Sequence, residues 1–135
     1  MTYLADANLL IASALTNHVH HAAARKWFGG NPRFATTPIT ELALIRVATH
    51  RNYGVSFADA LAALKAIKEL PNHVFWPADL EVSVNVFNGE TPSSHTTDAY
   101  LLALARAKGG KLATFDQSIG KLGQGNEPYL KVLTS

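Results

Sequence analysis

The chain has 135 residues, with 12 Lys and Arg against 10 Asp and Glu, which gives a net charge of +2. It contains no cysteine, so disulfide frameworks, thiol catalysis and cysteine-ligated zinc or iron–sulfur sites are excluded. Hydrophobic residues make up 47% of the chain and charged residues 16%. This balance is typical of a folded globular protein, and we expect residues 1–135 to form a single domain. The small net charge permits nucleic-acid binding without requiring it.

Targeting and membrane segments are not expected. No run approaches the ~18 apolar residues that a membrane span needs. The N-terminus has neither the basic region nor the apolar core of a signal peptide. Together with the absence of cysteine, which suits a reducing compartment, these features predict a cytoplasmic protein.

Strands and helices are predicted to alternate along the first half of the chain. Thr37 and Pro38 form a cap and first-position pair that opens a helix, and Ser56 begins another with a capping-box-like sequence. The first half is thus predicted to contain strands at 3–5 and 33–36 and helices at 9–15 and 20–28. Two further helices open at Pro38 and Ser56. The apolar stripe of the last helix is predicted to consist of Phe57, Leu61, Leu64 and Ile67.

The second half continues the alternation. A strand at 73–76 is closed by Pro77, and Asp79 is predicted to cap a short helix through Val86. A polar loop over 88–94 precedes a helix that opens at 96–98, and strands follow at 111–115 and 129–133. The whole pattern predicts an α/β fold in which a parallel sheet is covered by helices on both faces.

Four acids occupy apolar or boundary settings. Asp6 and Asp116 each follow an apolar strand, so in a parallel sheet they emerge at the same edge, where ligands bind. Glu41 lies in an otherwise apolar helix, and Asp98 lies at the start of the helix that opens at 96–98. Gathered carboxylates repel one another unless they coordinate a cation, and hard oxygen ligands suit Mg²⁺ or Mn²⁺. Such a site supports phosphodiester hydrolysis.

Simpler interpretations of these acids remain open. Asp98 is explained equally by the favourable interaction of a first-turn acid with the helix dipole. Glu41 can be a solvated helix residue, and Asp116 a turn residue. Arg46, in the same helix as Glu41, is a candidate partner for a buried acid or for a substrate phosphate. Its five-residue separation from Glu41 disfavours a direct pair between them.

A cluster of three histidines offers a competing site. His18 and His21 are spaced to share a helix face, with His20 beside them, and such an arrangement can bind Zn²⁺. No third ligand is provided by the spacing, so surface histidines at a helix N-terminus are the preferred interpretation.

The four acids stand in motifs that resemble those of the PIN-domain ribonucleases. These motifs are Leu4-Ala-Asp-Ala-Asn-Leu-Leu, Ala35-Thr-Thr-Pro-Ile-Thr-Glu, Thr97-Asp-Ala-Tyr-Leu and Thr114-Phe-Asp. Their order and approximate spacing match the family, and the resemblance covers essentially the whole chain. Within the family the chain is similar to the VapC toxins of bacterial toxin–antitoxin pairs.

The resemblance implies a PIN-like three-layer fold and a Mg²⁺- or Mn²⁺-dependent endoribonuclease. It also implies a homodimer, an RNA substrate, and a VapB-type antitoxin that blocks the site. The acidic positions correspond to Asp6, Glu41, Asp98 and Asp116. We expect the three aspartates nearest the metal, directly or through water, and Glu41 orienting or deprotonating the attacking water. The supporting positions correspond to Asn8 and Thr114. Arg46 is added as a supporting residue because it is a candidate partner for an acid or a phosphate. Gln117 departs from the family pattern, in which Arg more often follows the last acid.

Rival functions are distinguished by particular residues. An aspartyl-nucleophile phosphatase needs a second Asp two residues after the first, and Asn8 occupies that position without an acidic proton to give. An aspartyl phosphoacceptor would be labelled by a phosphate donor. A non-catalytic PIN-fold module that binds RNA or protein has no need of four mutually repelling acids. A ribonuclease outside any toxin system would lack a neighbouring antitoxin gene.

Overall fold

A computed structural model describes residues 1–122 and 125–134. Its centre is a five-stranded sheet in the order β3-β2-β1-β4-β5, and every neighbouring pair is parallel. The strands are β1 (Tyr3–Ala5), β2 (Phe34–Thr36), β3 (His73–Phe75), β4 (Lys111–Thr114) and β5 (Leu130–Val132).

Five α-helices connect and cover these strands. The predicted cap at Ser56 is confirmed, since its hydroxyl accepts from the amide of Asp59, and the helix after Asp6 begins with a bond from the amide of Ala7 to the Asp6 carboxylate. Pro38 follows Thr37 at the first position of the third helix. The helices are α1 (Ala7–Ala14), α2 (His21–Gly29), α3 (Pro38–Thr49), α4 (Phe57–Lys68) and α5 (Thr96–Ala107).

Alternate residues of the central strands bury themselves in two separate cores. Ala5 and Phe34 pack on the side that carries α1 to α4, and Leu4 and Ala35 pack on the side that carries α5. Strands that are buried on both faces are typical of parallel sheets. The predicted parallel α/β sheet with helices on both faces is therefore confirmed.

The register of β1 with β4 determines where the candidate site lies. Ala5 lies opposite Ala113, and the amide of Asp6 donates to the carbonyl of Ala113 at 2.9 Å. The two strands therefore end at the same level, which places Asp6 and Asp116 at the same edge of the sheet, as the sequence predicts. The helix α5 runs back to the opposite edge before β4, so its first turn, with Asp98, begins at this edge as well.

The prediction that Asp79 caps a helix through Val86 is wrong. Asp79 caps nothing and instead forms an ion pair with Lys108 at 3.1 Å. The only helical turn in this stretch is a 3-10 turn at Val84–Val86, whose amide at Asn85 is capped by Ser83. Pairing across the fold therefore overrides the local capping preference of an aspartate.

The predicted apolar stripe of α4 is correct for two of its four residues and wrong for the other two. Leu64 and Ile67 are buried, together with Ala60, whereas Phe57 is 63% exposed and Leu61 42% exposed. The helix therefore buries a narrower face than the four apolar positions suggested, formed by Ala60, Leu64 and Ile67. In the described part of the chain, no helix is long and apolar enough to span a membrane.

Candidate active site

Asp6 is the most buried acid of the sheet edge, with 5% of its surface exposed. Its Oδ1 accepts from the amide of Ala7 at 2.8 Å, and its Oδ2 accepts from the Thr114 hydroxyl at 2.7 Å. One bond caps the start of α1, and the other joins the end of β1 to β4. Asp6 is thus held rigidly by the start of a helix and by the neighbouring strand.

Thr114 organises a polar network between the ends of the two strands. Its hydroxyl, which donates to Asp6, accepts from the Asn8 amide at 2.9 Å and from the backbone amide of Asp116 at 3.0 Å. The Asn8 carbonyl accepts in turn from the amide of Phe115 at 3.2 Å. Asn8 and Thr114, two of the three predicted supporting residues, therefore connect the backbone that carries Asp116 to the carboxylate of Asp6.

Asp116 caps the 3-10 helix that follows β4. Its Oδ1 accepts from the amide of Ser118 at 2.9 Å and from the Ser118 hydroxyl at 2.6 Å. Its Oδ2 has no hydrogen-bond partner among the described residues, so one oxygen of this carboxylate remains available to a ligand.

Asp98 is paired with a histidine that the sequence analysis did not select. Its Oδ2 lies 3.0 Å from Nδ1 of His95, and both side chains are 20% exposed. His95 stands three residues before Asp98 at the start of α5, and this i,i+3 spacing is the sequence signal that could have indicated the pair. Oδ1 of Asp98 has no partner among residues 1–122 and 125–134.

The three aspartates interact electrostatically. The pKa of Asp6 is raised from 3.8 to about 6, chiefly because burial penalises its charged form. Hydrogen bonds from Thr114 and Ala7 oppose this shift, while the negative charges of Asp98 and Asp116 add to it. The structure therefore brings Asp98 and Asp116 close enough for their charges to destabilise the charged form of Asp6.

Glu41 belongs to a different network one strand away. Its Oε2 accepts from the Thr36 hydroxyl at 2.6 Å, and Nζ of Lys68 lies 3.2 Å from Oε1 and 3.2 Å from Oε2. Nε2 of His73 lies 2.7 Å from the Thr36 hydroxyl oxygen. Thr36, Lys68 and His73 were not singled out as site residues, because the bonds join four different elements and no sequence spacing indicates them.

The donor set fits a hard divalent cation. In the described part of the chain, no three His, Cys, Asp or Glu side chains lie close enough to form a ready-made metal site. Mg²⁺ does not need one, since it commonly takes one or two carboxylates and retains several waters. Asp6, Asp98 and Asp116 offer carboxylate oxygens of the kind that such a hydrated ion binds.

The remaining candidates are engaged elsewhere or exposed. His20 stacks on Phe115 at 4.5 Å between ring centroids, and Nδ1 of His21 lies 2.8 Å from the carbonyl oxygen of Ala12. The histidines accordingly do not form a zinc cluster with any other described residue. Arg46 is exposed and makes no ion pair within the described ranges, so it is not the partner of a buried acid.

The fold and the acidic sheet edge agree with a family match. The family model described as PIN domain matches residues 3–124. Ribonuclease VapC39 of Mycobacterium tuberculosis is 42% identical over 127 residues, which cover 88% of this chain and 91% of that protein. Ribonuclease VapC29 of the same organism is 39% identical over 123 residues, covering 90% and 91%.

A solved structure has the same fold. The crystal structure of Mycobacterium tuberculosis VapC20, described as a Sarcin-Ricin loop cleaving toxin, superposes with a TM-score of 0.65 at 16% identity. The superposition covers 99% of this chain and 100% of that one. The chain therefore belongs to the PIN-domain family and, within it, to the VapC ribonucleases.

Proposed function

We propose that this protein is a Mg²⁺- or Mn²⁺-dependent endoribonuclease toxin of the cytoplasm, active on RNA phosphodiester bonds and neutralised by a VapB-type antitoxin. The observation that carries the proposal is the meeting of Asp6, Asp98 and Asp116 at one sheet edge, in a chain whose relatives are named ribonucleases. We take residues 1–135 as one PIN domain, of which the family match spans 3–124.

Each side chain has a role in this proposal. Asp6, Asp98 and Asp116 hold the ion, directly or through water, and Asn8 and Thr114 fix the carboxylate of Asp6 and the turn before Asp116. A bound divalent ion lowers the pKa of a water and stabilises negative charge on the phosphate. Glu41 orients or deprotonates the attacking water.

Arg46 is assigned to the substrate side of the same proposal. Its side chain is exposed on α3, the helix that carries Glu41, and it has no ion-pair partner in the described part of the chain. An unpaired guanidinium is suited to contact an RNA phosphate, which it can bind through two parallel hydrogen bonds.

The proposed homodimer uses an apolar surface of the middle helices. Leu42 of α3 is 64% exposed, and Phe57 and Leu61 of α4 are 63% and 42% exposed. Large apolar side chains exposed on two packed helices support an interface there. Light scattering coupled to size exclusion should report twice the chain mass for the wild type and the single mass for Leu42→Glu.

The experiment that tests the proposal is cleavage of total cellular RNA by purified, antitoxin-free protein with Mg²⁺, with Mn²⁺ and with EDTA. Discrete fragments that require the metal are expected, and Asp6→Asn, Asp98→Asn and Asp116→Asn should abolish them while circular dichroism remains native. A folded protein that cleaves RNA in none of these conditions would favour a non-catalytic binding module. Metal-dependent cleavage by Asp6→Asn at the wild-type rate would refute the site.

A further inference from the structure

Thr36 and Lys68 contact the Glu41 carboxylate directly, and His73 contacts Thr36. Thr36 ends β2, Lys68 ends α4 and His73 begins β3, and Glu41 itself lies in the first turn of α3. The Glu41 side chain is only 12% exposed, and Thr36 is fully buried. Such convergence on one carboxylate restricts its orientation far more than a surface ion pair would.

Counting protons gives the direction of each hydrogen bond. The Thr36 hydroxyl has one proton, and the Glu41 carboxylate, paired with Lys68, can only accept. Thr36 must therefore donate to Glu41 at 2.6 Å, and His73 must donate from Nε2 to the Thr36 oxygen at 2.7 Å. The chain of donors runs from His73 through Thr36 to Glu41.

The charge state of His73 agrees with this direction. Burial lowers the pKa of His73 below 6.5, and the nearby Lys68 ammonium lowers it further, while Glu41 opposes the shift. A neutral imidazole carries one proton, and the hydrogen bond to Thr36 requires that proton on Nε2. His73 is thereby held in a single tautomer.

The network leaves an acceptor position on Oε1 of Glu41 open. A carboxylate offers about four lone-pair positions. Lys68 donates to Oε1 at 3.2 Å, its Nζ also lies 3.2 Å from Oε2, and Thr36 donates to Oε2. Among the described residues nothing occupies the second position on Oε1, so one lone pair remains for a water.

The position of this network in the sheet is next to the aspartates. β2 is the direct neighbour of β1, and Thr36 ends β2 at the edge where Asp6 follows β1. The Glu41 carboxylate, which accepts from Thr36, thus lies at the same edge of the sheet as the acids. We propose that Thr36, His73 and Lys68 are positioning residues that aim Oε1 of Glu41 at the water that attacks the RNA phosphate.

This inference rests on the proposed ribonuclease activity and on the role of Glu41 within it. None of the three positioning residues touches the reacting atoms in this scheme. Their loss should therefore lower the rate of the chemical step without weakening RNA binding, because Glu41 alone is misdirected. Outer-shell partners of this kind commonly affect activity 10- to 100-fold.

Matched variants separate the hydrogen bonds from simple packing. His73→Leu and Thr36→Val keep the volume and remove the donors, and each should lower kcat about 10-fold with KM unchanged. His73→Gln restores an N–H near the Nε2 position, and Thr36→Ser restores the hydroxyl. Both should recover most of the rate lost in the matched apolar variant.

A double-mutant cycle with Glu41→Gln tests whether His73 affects the rate through Glu41 or only supports the fold. If Thr36 and His73 act through Glu41, His73→Leu should lower kcat in the wild type and have no further effect in Glu41→Gln. Equal losses in both backgrounds, or full activity of His73→Leu, would overturn the inference while leaving the ribonuclease itself intact.

The hydrogen-bond direction has its own readout that does not depend on activity. Long-range ¹H–¹⁵N spectra at neutral pH, with His73 assigned by comparison to His73→Gln, should show the proton on Nε2. A proton on Nδ1 would mean that Thr36 donates to His73 and not to Glu41, which overturns the inference. Absence of metal-dependent RNA cleavage by the wild type would instead refute the proposed function, whichever tautomer is observed.

Discussion

The ionised carboxylate of Asp6 destabilises the folded protein, because the side chain is buried. Its pKa is raised to about 6 from 3.8, so the folded state binds the proton more tightly than the unfolded state does. Protonation therefore stabilises the fold. The stability from this group is complete below about pH 4 and is lost as the pH rises through about 6.

We predict that this loss is measurable in metal-free protein. A shift of about two pKa units corresponds to about 3 kcal/mol. The free energy of unfolding of the wild type, relative to that of Asp6→Asn, should fall by this order between pH 4 and pH 7 in EDTA, because asparagine cannot ionise. Urea denaturation at a series of pH values measures it, and a difference that does not change with pH would contradict the prediction.

Lys68 and Lys65 provide a matched pair on α4. Lys68 is partly buried and neutralises the nearly buried carboxylate of Glu41, whereas Lys65 makes only an exposed ion pair with Glu69 at 3.9 Å. Lys68→Met should lower the stability by about 1 kcal/mol because Glu41 loses its counter-charge. Lys65→Met should leave the thermal midpoint unchanged. Equal midpoints for the two variants in calorimetry would show that Glu41 does not depend on Lys68.

At the scale of elements, the close approach of β4 to the N-terminal strand depends on a glycine. A Cβ at Gly110 would clash with the carbonyl oxygen of Thr2 and lie 2.9 Å from Cη2 of Trp76. Backbone cannot move aside as a flexible side chain can. Gly110 is therefore required by the packing at this position.

Gly110→Ala should lower the free energy of unfolding by about 1–3 kcal/mol through overpacking. Gly29→Ala is the control, since a Cβ there meets nothing within 4 Å and alanine favours the helix that Gly29 ends. Chemical denaturation of the two variants compares them directly. A Gly110→Ala protein as stable as Gly29→Ala would show that the strand and Trp76 can shift at little cost.

The elements also differ in how well their sequences determine them. β1 and β4 are apolar runs closed by acids, and α5 has Asp98 near its start and glycines after its end, so local rules are sufficient. The segment after β3 is different. Tyr100 of α5 donates to the carbonyl of Leu80 at 2.8 Å, and Lys108, directly after α5, pairs with Asp79. These partners are 20 and 29 residues apart in the chain.

At the scale of the whole molecule, a divalent cation should stabilise the protein through the three aspartates. A ligand that binds only the folded state raises its stability by RT ln(1 + [L]/Kd), or about 2.7 kcal/mol at one hundred times Kd. Mg²⁺ or Mn²⁺ should therefore raise the thermal midpoint of the wild type.

The same titration of Asp98→Asn and Asp116→Asn should give smaller shifts, because each removes a charged ligand. NaCl at matched ionic strength is the control for general screening. Shifts of equal size in the wild type and in both variants would place the cation elsewhere on the protein.

The sequence by itself determined the parallel α/β order and three of the four acids of the edge. Strand ends in a parallel sheet share an edge, so Asp6 and Asp116 had to meet there once their strands were recognised. The first-turn position of Asp98 brings it to the same edge, because the helix that precedes β4 must begin there.

Only the tertiary structure decided how each acid is held. The bonds of Glu41 to Lys68 and Thr36 span 27 and 5 residues, and the bond of Thr114 to Asp6 spans 108. Side-chain hydrogen bonds of this kind depend on which elements become neighbours, and no local pattern encodes that. The sequence identifies the acids because their chemistry is local, whereas their partners follow from the packing of the sheet and its helices.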